Sequence, residues 1–119
     1  MVEISLRKAR TIIRKTIEKA REMDLKPVSV VVLDSGGNVK AFERQDGAPP
    51  GRFAIAHGKA YGAVMTGMSG SAQKARAEEQ AYFMAALNGV YGGQVVPVPG
   101  GILVKDKRDR VIGAVGVTG

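Results

Sequence analysis

The side chains best suited to chemistry gather between Arg44 and Lys59, in the stretch RQDGAPPGRFAIAHGK. His57 is the only histidine of the chain, which excludes a multi-histidine metal site within one copy and makes it the sole imidazole available as metal ligand or general base. Arg44 and Arg52 border the loop DGAPPG, where a guanidinium fork suits a carboxylate or a phosphate group. Asp46 is the natural orienting partner of Arg44, and an ordinary loop ion pair accounts for the same residues equally well. Lys59 adds positive charge to this region if it points toward the loop. Gly100 and Gly101, in VPGGILV, either permit a bend before a strand or let a ligand approach the backbone. No serine stands in a GxSxG context, and Glu78 and Glu79 point in different directions on a helix, so neither a triad nor a carboxylate pair is visible.

The elements that must hold these residues are read from period and punctuation. Ser5 caps a helix running to about Met23, with Leu6, Ala9, Ile13, Ile17 and Ala20 at three- and four-residue steps. VSVVVL, from Val28 to Leu33, is β-branched and apolar throughout, which predicts a strand in the interior of its sheet. DSGGN then joins it to VKAFER as a hairpin, with Gly36, Gly37 and Asn38 supplying positive φ; no helix follows the glycines, so a phosphate loop is disfavoured. RFAIAHGKAYGAVMTGM reads as a helix with Phe53, Ala56, Ala60 and Val64 along one face. Ser71 is expected to cap a longer helix with the stripe Ala75, Tyr82, Phe83, Ala86 and Leu87, interrupted by Glu78 and Glu79 and ended by Gly92 and Gly93. QVVPVP, GILVKD and VIGAVGV are strand candidates, the last two a hairpin through KRDR; Pro97 and Pro99 restrict the first to an edge, if it is a strand. Helix, two strands, two helices and up to three strands favour an α+β domain with an antiparallel sheet.

Composition narrows the function classes. The chain has the length of one domain, and the absence of cysteine excludes disulfides, Cys-based metal sites and thiolate catalysis. No stretch has the apolar length of a signal peptide core or a membrane span, and a cytoplasmic location is the default expectation. The net charge of +7 is concentrated on the first helix as a solvated face; without interleaved aromatics it argues against a nucleic-acid partner.

Four stretches in order, VVVLDSGGNVKAFERQDGA, AHGKAYGA, VPGGILV and VIGAVGVTG, resemble the GlcG-like family of haem-degrading or haem-binding domains. That family includes the C-terminal domain of some corrinoid adenosyltransferases. The resemblance implies a profilin-like, three-layer α/β/α architecture with a five-stranded antiparallel sheet, a single domain over residues 1–119, and a homo-oligomer. It also implies a helix after the GVTG position that is expected to cover the sheet and is absent from this sequence, and Gly62 stands where a threonine is common. Haem becomes the cofactor to expect, with His57 as iron ligand and Arg44 or Lys59 against a propionate. The reading is therefore a haem-binding or small-ligand module; the alternative is an enzyme acting on a small carboxylated or hydroxylated metabolite near Arg44, Asp46 and His57.

Overall fold

A computed structural model describes residues 3–119. The elements are α1 (Leu6–Glu22), β1 (Ser29–Asp34), β2 (Val39–Arg44), α2 (Arg52–Thr66), α3 (Gly70–Glu79), α4 (Ala81–Val90), β3 (Gly101–Lys105) and β4 (Val111–Thr118). The strands form one sheet of order β2-β1-β4-β3, antiparallel at every step. β1 is thus internal, as its unbroken apolar run requires, and its residues 29–33 are all buried.

Alternation along the strands divides the core into two layers. Val30 and Val32 of β1 and Val115 of β4 meet α1 through Ala9, Ile13, Ile17 and Ala20. Val31, Leu33 and Ala114 meet α2 on the opposite face through Ala56, Ala60 and Ala63. Burying a side chain such as Ile13 contributes about 1.5–3 kcal/mol, so α1 is held by its stripe more than by local propensity. Its start is fixed by Ser5, whose Oγ accepts from the Lys8 amide at 3.0 Å.

The sheet has four strands among the described residues, where the family resemblance implied five. QVVPVP runs as irregular chain: Pro97 and Pro99 have no amide hydrogen for a ladder, and the Val96 amide donates instead to the Gly58 carbonyl of α2 at 3.1 Å. A second correction concerns the expected long helix. Ser69, and not Ser71, caps α3 by accepting from the Ala72 amide, and the helix breaks at Gln80, directly after Glu78 and Glu79. The break turns the expected stripe apart: Met84 is the buried residue of α4, while Tyr82 is 74% exposed. On α2 the buried line is Ala56, Ala60 and Ala63, and Phe53 lies outside it, against the expected face. Gly92 and Gly93 follow α4 with positive φ, as the sequence predicts.

α2 lies unusually close to the sheet because its neighbours are glycines. A Cβ on Gly116 would come within 2.0 Å of the Ala56 carbonyl oxygen, and one on Gly101 within 2.2 Å of that of Lys59. Such contacts let backbone pack on backbone.

Candidate functional site

The DSGGN turn is closed by its own aspartate. Asp34 Oδ1 accepts from the Gly36 amide at 3.0 Å and the Asn38 amide at 2.9 Å, and the Gly37 amide donates to the Asp34 carbonyl. Burial raises the Asp34 pKa, but these hydrogen bonds and the Lys40 charge outweigh it and hold the carboxyl below its ordinary value. The amides are consumed, so the loop is a hairpin and not an anion cradle. Only Gly37 of the three expected positions has positive φ, at 84°.

His57 is half-buried on α2 and belongs to an aromatic row. Helical spacing of four stacks its ring on Tyr61, 5.4 Å between centroids and 19° between planes, and sets it 5.8 Å from Phe53. Phe53 in turn makes an edge contact with Phe42 of β2 at 4.8 Å. Beside the row is a cavity of about 560 Å³ lined by Val39, Phe53, Ile55, His57 and Val96, among others. Burial lowers the His57 pKa from the ordinary 6.5, so the imidazole is neutral at pH 7 and its ring nitrogen lone pair is available.

The other expected site residues lie apart from it. Arg44 and Asp46 are both exposed and line a different, larger groove of about 1150 Å³ against α1. Arg44 is oriented by Ala48, to whose carbonyl its Nη1 donates at 2.7 Å, and not by Asp46. Lys59 points the other way around α2: its Nζ donates to the Val117 carbonyl at 3.0 Å, and burial followed by the charge of Arg52 lowers its pKa. Gly100 and Gly101 face this same lysine, with Gly100 at φ 114° and its missing Cβ replaced by contacts to Val117 and Lys59. A joint site of Arg44, Asp46 and His57 is therefore not formed. The aromatic row itself escaped the sequence reading, although Phe53, His57 and Tyr61 recur at steps of four.

Among the described residues no group of three or more His, Cys, Asp or Glu side chains could hold a metal ion, and no helix is long and apolar enough to cross a membrane. What the geometry defines is a mixed α+β domain with a neutral imidazole beside an apolar cavity. Residues 4–119 match the model of the haem degrading protein HbpS-like family, and the chain belongs to that family. No curated protein matches it. Among solved structures it is similar to HbpS, at 27% identity and a TM-score of 0.85 over 100% of this chain and 79% of that one. The Klebsiella pneumoniae protein ORFY is similar at 27% identity and a TM-score of 0.88, over 100% of this chain and 81% of that one. PduOC, solved as a complex with haem, shares the fold at 24% identity and a TM-score of 0.86, over 99% of this chain and 83% of that one.

Proposed function

We propose that the protein is a haem-binding module of profilin-like architecture that acts as a homo-oligomer, with His57 as the iron ligand. The observation that carries the reading is the half-buried, neutral imidazole stacked on Tyr61 at the margin of a largely apolar cavity of about 560 Å³. Imidazole is a common axial ligand of haem iron, and apolar side chains such as Phe53, Ile55 and Val96 suit a porphyrin face. Family membership and the likeness to a protein solved with haem support the same ligand. Bound haem would supply a redox-active iron. The chain's own part is to keep the imidazole unprotonated by burial and to fix its plane by stacking. Arg44 and Lys59 are left out of this proposal, because neither lines the His57 cavity.

Titrating haem into the wild-type protein and into His57→Ala while following the Soret band tests it. Saturable binding to the wild type, with a changed spectrum and weaker binding in the variant, is the expected result. Identical spectra and affinity would remove His57 as ligand, and no saturable binding to the wild type would remove haem.

A further inference from the structure

The larger groove, between α1 and the end of β2, is rich in arginine. Arg7, Arg10, Arg14 and Arg21 of α1 line one wall, and Arg44 stands on the other beside Glu43, Gln45 and Asp46. The basic residues of α1 are sorted by type. At about 100° per residue the four arginines fall within an arc of about 60°, while Lys8, Lys15 and Lys19 form a second stripe centred about 130° away around the helix. None of those lysines lines the groove; Lys15 and Lys19 line a separate apolar depression with Met23, Leu25 and Val28. Generic solubility would be served by either residue on either face. Confinement of the guanidinium to the walled face is what bidentate recognition of oxyanions requires.

The carboxylates in the groove do not neutralise it. Glu18 pairs with Arg14 at 3.6 Å, both exposed, while Glu43 and Asp46 make no ion pair with the arginines. Among the described residues Arg7, Arg10 and Arg21 have no carboxylate partner at all. From Arg7 to Arg21 the row runs about 21 Å along the helix axis, so its match is an elongated anion with charge repeated along its length. No aromatic side chain lines the groove, which leaves bases of a nucleic acid strand without a stacking surface.

We infer that this groove binds a linear phosphate chain, gripped by the Arg7, Arg10, Arg14 and Arg21 guanidinium groups. The site shares no lining residue with the His57 cavity, and the inference does not depend on haem.

Calorimetric titration of linear polyphosphate long enough to span the row, with tripolyphosphate as a short comparison, tests it on three triple variants of α1. Saturable binding to the wild type that weakens with added salt is expected, the longer chain binding more tightly. Substitution of Arg7, Arg10 and Arg21 by alanine should weaken it about tenfold or more, and by lysine by a smaller but measurable factor, since charge remains and the fork is lost. Lys8→Ala, Lys15→Ala and Lys19→Ala together remove the same charge from the same helix and should leave affinity within about twofold. No saturable binding to the wild type, equal losses in the alanine variants of the two stripes, or no change on replacing arginine by lysine would each overturn the inference. Tighter binding of a single-stranded oligonucleotide of equal charge would overturn it in favour of a nucleic acid strand. Circular dichroism on each variant confirms that the helix is retained, and the lysine-for-arginine variant preserves charge and helix propensity should the alanine variant unfold.

Discussion

At the residue scale, His57, the proposed ligand, also bears on stability. Its pKa is lowered in the folded protein, so between that value and the ordinary 6.5 the unfolded chain binds more protons than the folded one. Stability conferred by the neutral ring is therefore fully present above pH 6.5 and declines as the pH falls below it. Denaturant unfolding from about pH 7.5 to about pH 5 should show this decline in the wild type and lose that component in His57→Phe, which keeps an aromatic ring in the stack. An unchanged slope in the variant would assign the decline to other groups. His57 was legible as a candidate because it is the only histidine, yet its partners were not. The sequence places Phe53 on the buried face with Ala56 and Ala60, and only the packing of α2 on the sheet shows that Ala56, Ala60 and Ala63 form its buried line while Phe53, His57 and Tyr61 share the flank.

At the element scale, hydrophobic period and turn residues were enough for α1, for both hairpins and for the internal place of β1. They were not enough where tertiary contacts decide. QVVPVP has the composition of a strand, but its Val96 amide is claimed by α2 and its prolines cannot enter a ladder. The Glu78–Glu79 interruption was visible, whereas its meaning, a break at Gln80, depended on how α3 and α4 pack on each other. Two helical glycines give opposite expectations from these contacts. Gly89 of α4 has open space where a Cβ would stand, so Gly89→Ala should stabilise by up to about 1 kcal/mol through helix propensity. At Gly58 the same atom would lie 2.5 Å from Val96 Cγ2 and 2.6 Å from the Gln94 carbonyl oxygen. Displacing that backbone should outweigh the propensity gain and leave Gly58→Ala about 1–3 kcal/mol less stable. Thermal or denaturant unfolding checks both signs, and a stabilised Gly58→Ala would show that the 94–96 segment yields easily.

At the scale of the whole molecule, the two faces of the sheet are unequally covered. α2 packs across β1, β4 and β3, whereas α1 contacts β1 and β2. Ile102 of β3 is left 58% exposed near the partly buried Val104 and Val117, with Met23 and Leu25 exposed at the end of α1. A second copy on this face is the assembly that the proposed homo-oligomer would form. Light scattering should give a mass above the 12.5 kDa of one chain, and Ile102→Glu should lower it without unfolding the protein. A single-chain mass for the wild type over a wide concentration range would contradict that expectation. The inward set of α2, with the Ala56 and Lys59 carbonyls against glycine backbone, bears on how fast a ligand is captured. Rotation of a helix seated this way would drive its carbonyls into glycine backbone, and the Val96 amide tethers the far wall of the cavity to it. A pocket held open in this way predicts that haem association in stopped flow accelerates in proportion to haem concentration, without the plateau that a slow opening step would impose.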